Sequence, residues 1–189
     1  MKSLNAGEPR TLCGKPAINR AIDHFSPEIA ACGALVSVGD DWSPHVLGHE
    51  NLLDLILFQL LSNALKFVRP GVSPRLRIWA EDRSDFVRIW IADNGIGIPR
   101  ECHRKAFGIF ERLHPAESYP GTGMGLAIVS KAVERMKGHV GFESETNEGS
   151  RFWFELVRAD LERPKPVWTD TKAQREVAAI ASGRDALPP

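Results

Sequence analysis

A helix-length run, LLDLILFQLLSNALKFV, carries three polar side chains with chemical potential: Gln59, Asn63 and Lys66. Their spacings of four and three residues put all three on one face of a helix. Amide oxygens suit a hard cation such as Mg²⁺. An ammonium suits a phosphate as a point charge. The same spacing also fits a plain polar stripe where a core helix meets solvent.

A second group is the run IADNGIGIP, residues 91–99. An apolar segment ends in Asp93, and a turn with Gly95 and Gly97 follows. Glycine permits positive φ and a close backbone approach, and a carboxylate can accept a hydrogen bond from an exocyclic amine. An ordinary Asn-Gly turn is the plain alternative. A third group is Gly121-Thr122-Gly123-Met124-Gly125-Leu126, which opens an apolar, helix-periodic run. Backbone N–H groups at a helix start favour an anion such as phosphate. The spacing is G-x-G-x-G and no strand precedes it, so it lacks the context of a Rossmann fingerprint. No Gly-Lys-Ser/Thr follows, so it is not a P-loop.

The elements that must position these groups are legible as a mixed series. A short strand is expected at residues 11–13. An amphipathic helix follows over residues 17–32, interrupted by Pro27 and ended by Gly33. A strand is expected at 34–38, a loop at 40–48, and the apolar helix at 50–68, stopped by Pro70-Gly71. Two strands, 75–81 and 86–92, flank a polar turn. Residues 94–122 read as a long Gly- and Pro-rich irregular region with a short helix at 101–110. A helix at 123–136 and a hairpin of 139–145 with 150–157 complete the pattern. Mixed helices and strands of this kind predict an α+β two-layer sandwich. The expected organisation is a linker or short strand at 1–16, a domain at 17–157, and a Pro-rich, flexible tail at 158–189.

Bulk properties exclude several classes. The chain has 189 residues, 43% hydrophobic and 25% charged, with formal net charge zero. That is enough apolar material for a core, and it lacks the basic excess of a nucleic-acid binder. Three widely spaced cysteines do not suggest a disulfide framework. No signal peptide is visible, and the longest apolar run is too short and polar to span a membrane. A cytoplasmic domain without nucleic-acid or membrane contact is expected.

Taken in order, the Asn63 helix, DNGIGIP, FGIFERLH, GTGMGLAI and EGSRFWFEL resemble the N, G1, F and G2 boxes of sensor histidine kinases. The wider group includes Hsp90, MutL and type II topoisomerases. The stretch RLHPAESYPGTGMGLAIV is most similar to phytochrome-type sensor kinases, and the likeness covers residues 17–156. It implies the Bergerat (GHKL) ATP-binding fold, with a mixed, mostly antiparallel sheet and helices on one face. It implies ATP and Mg²⁺ as cofactors. By this resemblance Asn63 binds Mg²⁺, with Gln59 standing where the family usually has a second Asn. Lys66 lies near the phosphates, and Asp93 bonds the adenine amine beside a wall shaped by Gly95 and Gly97. Gly121, Thr122, Gly123, Gly125 and Leu126 form the loop that approaches the triphosphate. Residues 97–122 form a mobile lid, anchored by Phe107 and Phe110, with Arg112 and His114 in reach of the γ-phosphate. Where the family tends to have an acidic residue before this helix, the chain has His49, then Glu50.

The implied activity is a protein-histidine kinase, passing the γ-phosphate of ATP to a histidine. Only about sixteen residues precede the first helix, too few for a helical hairpin carrying that histidine. His24 fits a surface role, and His45 and His49 lack further metal ligands. The acceptor is therefore expected from a separate dimerisation domain or phosphotransfer protein, with a response regulator downstream. The alternative is an ATP-binding regulatory or partner-binding module with little transfer. An Hsp90- or MutL-type clamp needs a transducer domain, for which the chain is short.

Overall fold

The computed structural model describes residues 8–40, 42, 45–111, 113, 119 and 122–159. Residues 160–189 of the expected tail lie outside these residues, as do Gly121, Arg112 and His114.

The first strand, β1 (Arg10–Cys13), runs directly into α1 (Gly14–His24), so this helix begins three residues earlier than its apolar periodicity suggests. Phe25 separates it from α2 (Ser26–Cys32). Pro27 sits in the first turn of α2, where its missing N–H costs nothing. Gly33, at φ 62°, ends α2 in the left-handed conformation. Next come β2 (Leu35–Val38) and β3 (His45–Gly48). The strand β3 corrects the expectation of a loop over residues 40–48. It is only four residues long and pairs antiparallel with β1, forming a separate two-stranded ribbon. The Asn63-bearing helix is α3 (Glu50–Lys66), and β4 (Arg75–Arg83) and β5 (Phe86–Asp93) form the expected hairpin. The short helix expected at 101–110 is a 3₁₀ turn confined to Arg100–Lys105. The chain closes with α4 (Gly125–Arg135), β6 (His139–Glu145) and β7 (Gly149–Val157).

The main sheet has five strands in the order β2-β4-β5-β7-β6. Only β2 and β4 pair in parallel; the other neighbours are antiparallel. Alternation along the strands divides the sheet into two faces. Leu76, Ile78, Val87, Ile89, Ile91, Phe152, Phe154 and Leu156 are buried on the inner face. They meet α3, whose Leu53, Ile56, Leu57, Leu60, Leu61 and Ala64 are buried too. The helix α3 packs between α1 and α4, so the helices cover one face of the sheet.

The other face carries its own aromatic row. Trp79, Trp90 and Trp153 are direct cross-strand partners, and Gly141 is the partner of Trp153. The Trp79 and Trp90 rings stack at 5.6 Å, and the Arg88 guanidinium lies 3.9 Å above the Trp153 ring. Gly141 is required there, because a Cβ would enter the indole of Trp153. Trp90 is 5% exposed although none of the described helices covers it, since its neighbours in the row shield both sides.

Candidate functional site

The sheet and helices meet the chemistry at one cleft, about 1030 Å³ including its open mouth. One wall is the polar face of α3. Gln59, Asn63 and Lys66 line it, and Ser62 joins them. This stripe survives on a helix whose core-facing side is buried because it faces the cleft rather than the core. The first turn of α4 packs against it. A Cβ on Gly125 would lie 2.9 Å from Gln59 Oε1 and 3.8 Å from the Asn63 amide atoms. Glycine at 125 therefore lets the start of α4 and its backbone N–H groups sit directly against the amide stripe.

Asp93, the last residue of the central strand β5, lines the same cleft. Its Oδ1 accepts the Gly95 N–H at 2.8 Å and the Ser150 N–H at 3.1 Å. Burial pushes this carboxyl up to about 6, and the two backbone N–H bonds offset only part of that rise. One carboxylate oxygen is thus fixed by the backbone. Gly95 lies beside Asp93 rather than on the cleft wall; a Cβ there would meet the Phe67 carbonyl. Gly97 does line the cleft, at φ 70°, where a Cβ would run into the Glu145 carbonyl. Both glycines are needed to seat the turn between α3 and the β6–β7 hairpin. The turn is tied there by Ile96 N–H to Phe67 O and Asn147 N–H to Ile96 O.

Described parts of the segment after Gly97, namely Ile98, Ala106, Glu111 and Leu113, line the cleft. Ile98 and Ala106 are buried, and the Phe107 ring packs edge-on against Phe142 at 5.8 Å. Phe107 therefore anchors the segment, as expected. Phe110 does not: it is 72% exposed with φ 62°, and the neighbouring Ile109 is 64% exposed. The backbone of Phe110 and Glu111 instead presses on Gly123. At φ 71°, Gly123 has no room for a Cβ, which would lie 2.8 Å from the Glu111 carbonyl. Thr122, Gly123, Gly125 and Leu126 all line the cleft.

Some lining groups escaped the sequence reading. Phe67 and Tyr119 form a tilted ring pair at 5.4 Å, with the Tyr119 hydroxyl donating to Val68 O at 3.1 Å. The Lys66 ammonium lies 4.7 Å from the centroid of the Phe67 ring. Ser150 and Phe152 close the floor beside Asp93. Aromatic types near a glycine turn hint at stacking, but the partners join across 51 residues and no spacing rule connects them.

The donors fit a magnesium nucleotide. Mg²⁺ is held by one or two protein oxygens together with phosphates and water, and the α3 stripe offers such amide oxygens.

The sequence profile of the histidine kinase-, DNA gyrase B- and HSP90-like ATPases matches residues 48–160. The chain is 35% identical over 139 residues to the phytochrome-like protein Cph1 of Synechocystis sp., covering 74% of this chain and 18% of that protein. It is 36% identical over 149 residues to cyanobacterial phytochrome A of Nostoc sp., covering 79% and 19%. The chain thus spans under a fifth of the length of these relatives. The nucleotide-free catalytic domain of histidine kinase ThkA has the same fold, with TM-score 0.70 and 24% identity, over 80% of this chain and 99% of that one. Full-length ShkA in complex with AMPPNP matches with TM-score 0.68 and 27% identity, over 81% of this chain and 32% of that one.

Proposed function

Because the chain belongs to the histidine kinase-, DNA gyrase B- and HSP90-like ATPase family, we propose that it binds ATP with Mg²⁺ in this cleft and delivers the γ-phosphate to a histidine on another domain. The observation that carries the reading is the Asp93 carboxyl, held by backbone on one oxygen and lining the same cleft as the amide stripe of α3. Asp93 would accept the adenine amine. Asn63, with Gln59 beside it, would give an amide oxygen to Mg²⁺, and Lys66 would face the phosphates. Thr122, Gly123, Gly125 and Leu126, with Gly121 next to them, would bring backbone N–H groups to the triphosphate. When bound, Mg²⁺ neutralises charge on the phosphates; transfer of this kind depends mostly on positioning and electrostatics. The bond from the bridging oxygen to the γ-phosphorus breaks, a nitrogen–phosphorus bond forms on the acceptor imidazole, and ADP leaves.

The acceptor would be a histidine-bearing dimerisation domain or a phosphotransfer protein, with a response regulator receiving the phosphate afterwards. The decisive experiment mixes this chain with γ-labelled ATP, Mg²⁺ and several purified helical-hairpin domains that carry a histidine. An acid-labile phosphohistidine on the acceptor is the expected result. ATP binding without transfer to any acceptor overturns the kinase reading. It would support a second one, an ATP-binding regulatory module with little transfer. The Gln59 observation favours that alternative: its amide oxygen packs close to Gly125 of α4, 2.9 Å from where a Cβ there would stand, as well as lining the cleft.

A further inference from the structure

The outer face of the sheet, away from the described helices, is built in three bands. Counted from the β4–β5 turn, the first holds Glu81, Arg88, Glu155 and His139. The tryptophan row is the second. Arg77, Ala92 and Arg151 form the third, where Arg151 also meets Glu143 at 3.3 Å. Neighbouring bands are two residues apart along each strand, roughly 7 Å. Trp79 and Trp153 are only half-buried, and the Glu81 side chain is 39% exposed. Two half-exposed indoles in one row leave an apolar strip in water, which favours whatever covers it.

The chain itself carries a matching segment. After Ala159 it continues as Asp160-Leu161-Glu162-Arg163-Pro164-Lys165-Pro166-Val167-Trp168-Thr169-Asp170, and these residues lie outside the described ones. Their side-chain types follow the bands in order. Arg163 and Lys165 come first and suit Glu81. Pro166, Val167 and Trp168 come next and suit the indoles. Asp170 comes last and suits the exposed Arg77. Proline-rich segments take up polyproline II at small entropic cost and dock on surfaces lined with aromatic rings.

Distances agree with this order. Arg158 is pinned at the β4–β5 turn by Asp82 and the Asp85 carbonyl. Trp153 lies five residues back along β7, roughly 17 Å away. The ten residues from Arg158 to Trp168 span up to roughly 33 Å, enough to round the end of the sheet and lie across the row. In polyproline II, Lys165 and Asp170 stand roughly 16 Å apart, against roughly 14 Å between the first and third bands.

We propose that residues 163–170 fold back over the outer face as an intramolecular strap, with Pro166, Val167 and Trp168 seated on the Trp79–Trp90–Trp153 row. None of the cleft residues lies on this face, so the strap stands apart from the nucleotide reading. A short tether supplies an effective concentration of about a millimolar, so modest contacts hold it.

The test uses the full chain with ¹⁵N in its five tryptophans, so that each indole N–H is read separately by NMR. The double variant Pro164→Gly, Pro166→Gly leaves every described residue in place and removes the preset backbone. In it the indole hydrogens of Trp79 and Trp153 exchange about fivefold faster or more, and their signals shift. Trp42, buried against Gly14 with its N–H on the Gly39 carbonyl at 2.6 Å, keeps its signal and its rate. Trp168→Ala reproduces the faster exchange. In the wild type, nuclear Overhauser contacts join the Val167 methyls to the Trp79 or Trp153 ring, and they carry the test should a variant fail to fold. Identical indole signals and rates in the wild type and both variants overturn the proposal. So do Val167 contacts found only between differently labelled chains, which give the face to a second copy. A change at Trp42 equal to that at Trp153 overturns it too, because the segment then acts on the whole fold.

Discussion

Replacing Asp93 by Asn changes one atom and separates binding from stability. Asn keeps an oxygen to accept the Gly95 and Ser150 N–H groups, which now hold Asp93 Oδ1 at 2.8 and 3.1 Å. Its NH₂ must then point into the cleft, so a donor faces the donating adenine amine. The lost bond to a charged acceptor is worth about 1.5–3 kcal/mol. ATP affinity is therefore expected to fall at least tenfold, or ~1.4 kcal/mol. Stability moves the other way. Burial raises the Asp93 carboxyl from an ordinary value of 3.8 to about 6. A raised folded-state value means that the fold is most stable with the carboxyl protonated, and that this stability is lost as pH rises from 3.8 to about 6. At neutral pH the ionised form costs the fold on the order of 3 kcal/mol. Asn removes that charge, and recovering even ~1 kcal/mol raises Tm by about 2–4 °C. Titration calorimetry with ATP and Mg²⁺, beside a thermal melt at pH 7.5, reads both quantities. Unchanged affinity in the folded variant removes Asp93 from the adenine contact. A lowered Tm refutes the reasoning about burial.

Further expectations follow from the same geometry. ATP affinity of the wild type should weaken as pH drops through about 6, where Asp93 takes up its proton, whereas Asp93→Asn should show only the dependence due to the phosphates; identical pH profiles would exclude Asp93 as the titrating group. Gly97→Ala forces a Cβ onto the Glu145 carbonyl at positive φ and should cost about 2 kcal/mol or more in denaturant unfolding. Gly125→Ala meets only the end of the Gln59 side chain, so stability should change by less than about 1 kcal/mol. Its loss of Mg²⁺–ATP affinity should be smaller in a Gln59→Ala background, and strictly additive losses would show that the two do not interact. Phe107→Ala should lower Tm through its lost contact with Phe142, whereas Phe110→Ala, at a 72% exposed position, should leave Tm unchanged within about 1 °C; equal effects would contradict the anchoring described above.

The long elements were legible because their periodicity is strong. The α3 helix, the β4–β5 hairpin, α4 and the β6–β7 hairpin lie within a few residues of where apolar spacing and Gly/Pro punctuation put them. The strand β3 was not, because His45–Gly48 sits among Pro44 and Gly48, and its partner β1 lies far back in the chain. A four-residue strand has no period to detect. In the site, the residue types of Asn63, Lys66 and Asp93 carried a signal, as did the glycines of both loops. Phe110 misled, since an aromatic residue in a covering segment reads as an anchor whether or not anything lies opposite it. Ser150 was silent for the converse reason: a serine near a hairpin is ordinary, and only the register of β7 on β5 joins it to Asp93.

The small ribbon has a consequence for how this unit can be joined to others. Val46 of β3 is paired with Leu12 on one edge and bridged to Arg158 on the other. Two such neighbours of one residue lie about 10 Å apart, twice the spacing of paired strands. Arg158 is also pinned at the β4–β5 turn, by Asp82 at 2.6 Å and the Asp85 carbonyl at 3.1 Å. Chain leading to Leu12 and chain leading from Arg158 are thus gathered at a single seam. The domain has the plug geometry of a cartridge: the two ends of its described fold meet on one side, so joining it to other units there requires no crossing of the fold.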